Sequence, residues 1–125
     1  MDPIAKRNKA NKRRGAEWEI DLMTGLRSVG EDVERLRLTG AEDEGDLAIR
    51  EDGGLFTVIE AKNAKFEPGP FLDEAHRERL NFAKHRGIDP GRVESVVVVK
   101  RRGKGWRKAF VLTTVEDFFG LDDAE

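Results

Sequence analysis

Three charged side chains are predicted to lie together at the ends of two adjoining strands. Asp46 begins one predicted strand, and Glu60 and Lys62 end the next, residues 56–62. Side chains two residues apart project from the same face of a strand, so Glu60 and Lys62 point the same way. A hairpin turn at residues 51–54 then brings Asp46 close to Glu60. Two carboxylates beside an ammonium group are suited to holding a divalent cation next to a phosphate.

A fourth candidate, Glu19, lies in a helix predicted over residues 15–29. Leu22, Met23 and Leu26 follow it at three, four and seven residues, which places Glu19 in the apolar stripe of the helix. A carboxylate buried there is costly unless a cation or hydrogen-bond donors pair with it. At the edge of the stripe it would instead reach solvent. A nearby cluster of carboxylates favours the buried, paired alternative.

Convergence of Glu19, Asp46 and Glu60 would create strong repulsion. Two carboxylates ~5 Å apart at an effective dielectric constant of ~20 repel by roughly 3 kcal/mol. Lys62 offsets only part of this charge, and Mg²⁺ or Mn²⁺ would remove the rest. A water retained by the cation would be the nucleophile for phosphodiester hydrolysis. Lys62 would orient or deprotonate that water, or neutralise the phosphate.

Length and composition indicate one small, highly charged domain. The chain has 125 residues, of which 38% are hydrophobic and 38% are charged. It contains no cysteine, so a metal would have to bind oxygen or imidazole ligands. The sequence shows no membrane-spanning run and no signal peptide. We therefore expect a protein that is not secreted and is cytoplasmic or associated with the nucleoid.

The charge is distributed unevenly along the chain. Residues 1–14 carry six lysines and arginines against one aspartate, whereas the chain as a whole has a net charge of −2. We predict that residues 1–14 form a disordered basic arm that binds a polyanion, although a solvated tail has the same composition. Residues 15–120 would form the folded domain, and residues 121–125 an acidic tail.

Hydrophobic periodicity predicts the element order α-β-β-β-α-β-β-α. Besides the helix at 15–29, the predicted helices are 71–86 and a short one that begins at Thr113, and the strands are 33–38, 46–49, 56–62, 93–100 and 106–112. Leu72, Ala75, Leu80 and Ala83 of the second helix are expected to face the sheet. A crossover helix between the third and fourth strands implies a mixed five-stranded sheet flanked by helices, an α/β fold.

The spacing from Asp46 to Glu60-Ala61-Lys62 resembles the D-x(n)-E-x-K signature of the PD-(D/E)xK nuclease superfamily. The wider layout is similar to the archaeal-type Holliday junction resolvases within it. The segment 14–19 (RGAEWE) resembles the opening basic-Gly-x-x-x-Glu helix of that family, and residues 105–107 (GWR) resemble its ending. Arg37 followed by Thr39 and Gly40 resembles the arginine strand and glycine loop before the metal-binding aspartate.

This resemblance implies a restriction-endonuclease-like fold and a metal-dependent DNA endonuclease. Such a hydrolase would be a homodimer that resolves four-way junctions by paired nicks in DNA recombination and repair. The implied catalytic residues are Glu19, Asp46, Glu60 and Lys62. The implied ligands of Mg²⁺, or of Mn²⁺, are Asp46, Glu60, Glu19 and Ala61. The residues expected to bind DNA are Lys12, Arg13, Arg14, Arg37, Thr39, Lys65, Arg101, Arg102 and Lys104.

One departure from the family pattern is the acidic loop 42–44, where a hydroxyl or basic residue is more usual. Acids beside a DNA-binding cleft weaken the approach of phosphate unless they bind metal or face away. Three alternatives to a resolvase remain open from the sequence. They are another PD-(D/E)xK nuclease acting on duplex or flap DNA, a non-catalytic nucleic-acid-binding module, and an interaction protein whose charged hairpin serves solubility.

Overall fold

A mixed five-stranded sheet flanked by helices forms the fold, as the sequence predicts. The computed structural model describes residues 2–37 and 42–121. In chain order the helices and strands are α1 (Pro3–Ser28), β1 (Asp32–Arg35), β2 (Leu47–Glu51), β3 (Leu55–Lys62), α2 (Pro68–Arg86), β4 (Val93–Val99), β5 (Phe110–Leu112) and α3 (Val115–Phe119). The order of strands in space is β1-β2-β3-β4-β5. Of the four strand pairs that the structure describes, β3 with β4 is the parallel one, because α2 carries the chain back between these two strands.

The predicted hairpin is confirmed by the pairing of β2 with β3, in which Leu47 lies opposite Ile59. A short 3₁₀ turn, Asp52–Gly54, joins the two strands, with both glycines at positive φ. The start of β2 therefore meets the end of β3. Because Lys62 also pairs with Val99 at the end of β4, these three strand ends form one edge of the molecule, called here the site end of the sheet.

The two long helices pack on opposite faces of the sheet. Trp18 and Leu22 of α1 are buried against Ile59 and its neighbours on one face. Phe82 and Ala83 of α2 are buried against the other face, with Val58 and its neighbours. Burying a large apolar side chain contributes about 1.5–3 kcal/mol, so these contacts hold the helices to the sheet. Leu80 was wrongly expected to face the sheet and is 39% exposed, because the buried stripe of α2 runs through Phe71, Ala75, Glu78 and Phe82 instead.

Helix α1 begins at Pro3 and not near residue 15, so the prediction of disorder is wrong for residues 3–14. Asp2 caps the helix, since its Oδ1 accepts hydrogen bonds from the amides of Ile4 and Ala5 at 3.0 Å each. Pro3 occupies the first turn, where its missing N–H costs nothing. The basic segment is therefore continuous with the helix that carries Glu19.

Several element boundaries differ from those predicted. Strand β1 ends at Arg35, although the amide of Leu36 still donates to the carbonyl of Asp46 at 2.9 Å. Residue 38, its predicted end, lies outside the described residues, as do residues 122–125 of the predicted acidic tail. Strand β5 begins at Phe110, because Trp106–Lys108 forms a 3₁₀ turn. Helix α3 is capped by Thr114, whose hydroxyl accepts from the amide of Asp117 at 3.2 Å.

Among the described residues, we find no helix that is both long and apolar enough to cross a membrane.

The Trp106 turn is held by a close contact with α1. The indole ring of Trp106 lies directly over Gly25, where a Cβ atom would overlap the ring. Gly15, in the same helix, has open space around it within the described part of the chain. A side chain at residue 25 would therefore collide with Trp106, whereas a side chain at residue 15 would be accommodated.

We expect Gly25→Ala to lower the free energy of unfolding by about 1–3 kcal/mol, because a methyl group there overpacks the contact with Trp106. Gly15→Ala should raise it by about 0.5–1 kcal/mol, since alanine is the better helix former. Urea denaturation of the two variants measures both changes. If they shift stability in the same direction, Trp106 does not pack on Gly25.

Candidate active site

Asp46 is fixed at the site end by two bonds to β3. Its amide donates to the carbonyl of Ile59 at 3.0 Å, and its Oδ2 accepts from the amide of Ala61 at 2.8 Å. The side chain thus continues the β2–β3 ladder one step beyond β2. Gly45 precedes it at φ 107°, with a Cβ position only 2.6 Å from Cγ1 of Val58, so a side chain there would be strained and crowded.

Glu60 and Lys62 lie together on the face of β3 that α2 covers. The Nζ of Lys62 is 3.3 Å from Oε1 of Glu60, and it donates a hydrogen bond to Oε2 of Glu74 at 3.0 Å. Glu60 is only 6% exposed. Its Oε2 is buried without a hydrogen-bond partner in residues 2–37 and 42–121.

Glu19 reaches the same centre from α1. Its Oε2 accepts hydrogen bonds from Nη2 of Arg35 at 2.8 Å and from Nε at 3.1 Å. Its carboxyl group is also close enough to Asp46 to raise the pKa of that residue. The structure therefore links Glu19 to Asp46, Asp46 to Glu60, and Glu60 to Lys62. No local pattern in the sequence indicated that Arg35 would hold Glu19.

Burial and mutual repulsion disfavour the ionised forms of the carboxyl groups in this centre, and their pKa values are raised accordingly. Burial raises the pKa of Asp46 to about 9, and the charges of Glu60 and Glu19 add to this. Burial also raises the pKa of Glu60 to about 10, with the neighbouring carboxyls of Glu78 and Glu74 acting in the same direction. Without a cation, these carboxyls hold protons at neutral pH.

Sequence reasoning missed two acids of α2, Glu74 and Glu78. One carboxylate oxygen each from Glu60, Glu74 and Glu78 lie within 4.8 Å of one another. Glu78 follows Ala75 by three residues and precedes Phe82 by four, so it lies in the buried stripe of the helix. The signal that identified Glu19, an acid in line with apolar residues, was therefore present for Glu78 as well.

The acidic loop 42–44 is tied to α2 by side-chain contacts. Glu42 pairs with Lys84 at 3.1 Å, and Oε2 of Glu44 lies 2.6 Å from Nδ1 of His85. Asn81 donates to the backbone carbonyl of Asp43 at 2.8 Å. Glu42 is thus paired with a cation of α2, whereas Asp43 lines the same cleft as Glu78.

Basic residues of the C-terminal half border the site end. The amide of Lys100 donates to the carbonyl of Lys62 at 2.9 Å, and the turn with Arg101, Arg102 and Lys104 follows at once. Arg102 and Lys104 are exposed, and the guanidinium of Arg101 lies 4.9 Å from the centre of the Phe110 ring.

The remaining candidates for DNA contact are exposed where the structure describes them. Lys12 precedes Glu19 by two helical turns on the same side of α1, about 10 Å along the axis. Arg13 and Arg14 adjoin it and are exposed, as are Arg37 and Lys65. Thr39 lies outside the described residues.

The residues present fit a hard divalent cation. The donors are carboxylate oxygens, which Mg²⁺ and Mn²⁺ prefer, and one of them, Oε2 of Glu60, is buried and unpaired within the described chain. Ala61 uses its amide to bond Asp46, which leaves its carbonyl oxygen as the group it would offer a metal.

Fold and site together define an α/β protein with a mixed five-stranded sheet and a carboxylate–lysine centre at one end of that sheet. Among solved structures, the chain is similar to Hjc, a Holliday junction resolvase from the archaeal hyperthermophile Archaeoglobus fulgidus. The identity is 16%, the TM-score is 0.48, and the match covers 84% of this chain and 93% of the other. No family model and no curated protein matches the chain. A match at this level concerns the path of the backbone, so the chemistry has to be argued from the residues of this chain.

We expect the metal-free protein to lose stability as pH rises. Burial raises the pKa of Glu78 to about 7 from 4.5, so its stabilising protonated form is complete below pH 4.5 and is lost through pH 7. Asp46 and Glu60, with pKa values near 9 and 10, lose stabilising protonation over the same range and continue to lose it at higher pH. The free energy of unfolding should therefore fall by at least about 3 kcal/mol between pH 5 and pH 8 in EDTA.

Denaturation at a series of pH values measures this slope, and Glu78→Gln should reduce it. A stability that is flat or rises over the same range would contradict the close approach of these carboxyls.

Proposed function

We propose that this chain is a Mg²⁺-dependent, structure-selective DNA endonuclease that resolves four-way Holliday junctions by paired nicks. The observation that most supports this is that four charged side chains from three parts of the chain approach one another at the site end. Glu19 comes from α1, Asp46 from the residue before β2, and Glu60 with Lys62 from the end of β3. Such a buried cluster is costly to the fold, so a ligand that needs it is the simplest explanation.

In this proposal Glu19, Asp46 and Glu60 hold the cation, with Ala61 as a further ligand. Bound Mg²⁺, or Mn²⁺, supplies a more acidic water and offsets charge on the phosphate oxygens. Arg35 is a positioning residue, since its two hydrogen bonds fix the carboxylate of Glu19. Lys62 lies next to Glu60 and would donate to a phosphate oxygen or orient the attacking water.

The basic residues around the site end would bind the DNA backbone. The turn 101–104 begins beside Lys62, and the basic turns of α1 precede Glu19 along one helix. Contacts of this kind position the duplex without reading its sequence, as a junction-selective enzyme requires. They add affinity that falls steeply with salt.

A symmetric homodimer is part of the proposal, because paired nicks need two centres. The C-terminal elements expose an apolar surface, with Phe118 72% and Val111 63% exposed. Strand β5 also forms an edge of the sheet, and it pairs with β4 at the site end. Exposed apolar edges of this kind are typical of surfaces that meet another copy.

The proposal is tested with labelled four-way junction, flap, duplex and single-stranded DNA, each with Mg²⁺ and with EDTA. Wild-type protein should nick the junction in pairs only with Mg²⁺. Asp46→Asn and Glu60→Gln should each lower the cleavage rate at least about 100-fold, since each removes a cation ligand, while junction binding persists. Glu31→Gln, a matched change at an exposed acid before β1, should leave the rate unchanged.

Three other outcomes would each contradict the proposed function. Equal cutting of duplex or flap DNA would indicate a nuclease with a different substrate. Tight junction binding without metal-dependent cutting would indicate a non-catalytic module. A protein that sediments as a monomer on the junction would overturn the paired-nick mechanism.

The contribution of the basic helix is measured separately by the salt dependence of junction binding. Replacing Lys12, Arg13 and Arg14 with alanine should weaken binding and reduce the slope of log K against log salt by about 0.9 for each phosphate that is no longer neutralised. Arg50→Ala, at the opposite end of the sheet, should leave the slope unchanged. If the triple variant keeps the full slope, α1 does not bind phosphate.

A further inference from the structure

A second group of acids lies beside the proposed centre, between β3 and α2. We call Glu60, Glu74 and Glu78 the α2 cluster; one oxygen from each lies within 4.8 Å of the others. Glu19 and Asp46 are not members of it. The cluster is therefore a distinct set of oxygen donors that shares one residue with the centre already described.

Glu78 is the unusual member. It is 3% exposed, and neither of its carboxylate oxygens has a hydrogen-bond partner in the described part of the protein. Oε2 of Glu60 is likewise buried without a hydrogen-bond partner among the described residues. Native proteins pair nearly all buried polar groups, so three such oxygens at one place need either shared protons or a ligand that replaces them.

Lys62 does not meet this need. Its Nζ is 3.0 Å from Glu74 and 3.3 Å from Glu60, and among the described residues Glu78 forms no ion pair with it. One ammonium group therefore serves two carboxylates and leaves the third without a partner. The nearby charge of Asp43 adds to the negative potential at Glu78.

The cluster is open to an incoming ion. A cleft of about 460 Å³ lies along α2 and is lined by Glu74, Glu78 and Asp43, among other residues. Glu74 is only partly buried, so a cation entering through the cleft would meet its carboxylate first and the buried oxygens behind it.

We propose that the α2 cluster is a second divalent-cation site, which binds Mg²⁺ or Mn²⁺ through Glu60, Glu74 and Glu78. Three carboxylate oxygens in a partly open site are a donor set that hard cations prefer, with water completing the coordination. A cation held by Glu74 competes with Lys62 for that carboxylate. Its binding therefore releases Lys62 from α2, and because Glu60 is also a ligand, the ammonium group becomes free next to the proposed centre.

The site is tested by titrating the full chain with Mn²⁺ in the absence of DNA. Electron paramagnetic resonance of the free ion measures how much Mn²⁺ is bound. Asp46→Asn removes a ligand of the proposed catalytic centre and should leave Mn²⁺ bound at the α2 cluster. Adding Glu78→Gln to Asp46→Asn should weaken that remaining binding at least about tenfold. Adding Asp73→Asn instead, an exposed acid of the same helix, should change nothing.

The position of the bound Mn²⁺ is measured by nuclear magnetic resonance. Mn²⁺ bound to the Asp46→Asn variant should broaden the amide signals of residues 74–78. If Asp46→Asn binds no Mn²⁺, or if adding Glu78→Gln leaves its binding unchanged, the second site does not exist. Should Glu78→Gln fail to fold, Glu74→Gln at the more exposed member gives the same decision. Because no step uses DNA, the outcome stands apart from that of the cleavage test.

Discussion

Mutual repulsion among buried carboxylates is the constraint on which the rest of this structure depends. Asp46 cannot move away from the site end, because its side chain is bonded to the amide of Ala61 in the sheet ladder. Glu60 cannot move away either, since it lies inside a strand paired on both sides. The packing of α1 and α2 on opposite faces then closes the remaining sides with further acids. Fold stability thus maintains an arrangement that is unfavourable until a cation or protons arrive.

The strand and helix periodicities of the sequence were sufficient to predict which face of its element each of Glu19, Glu60 and Lys62 occupies. Strand alternation placed Glu60 and Lys62 on one face, and the helical stripe identified Glu19 as an acid among apolar residues. The contact of Arg35 with Glu19 joins β1 to α1, so it depends on how these elements pack and no local pattern contains it. The packing of Trp106 on Gly25 is of the same kind, and it explains why β5 is shorter than predicted.

Two features were missed although the sequence carried their signals. Asp2 followed by Pro3 is a helix start, but the prediction for residues 1–14 did not take it into account. Glu78 satisfies the same stripe criterion as Glu19, but no motif drew attention to the second helix. Charge density alone therefore did not separate a disordered segment from an exposed helix. A capping residue and the phase of apolar positions are the better guides.

The helical form of the basic segment changes what the proposed binding of DNA would do. A disordered arm would lose conformational entropy on binding and would leave the proposed centre unaffected. In a continuous helix, Lys12 and Glu19 move as one body, so a phosphate bound by Lys12 in the proposed complex would also restrain the position of Glu19. Arg35 restrains the same carboxylate from the sheet side. Affinity for the backbone and the geometry of the proposed cation ligand are then set by one element, and a change at Lys12 should alter the rate of cutting as well as the strength of binding.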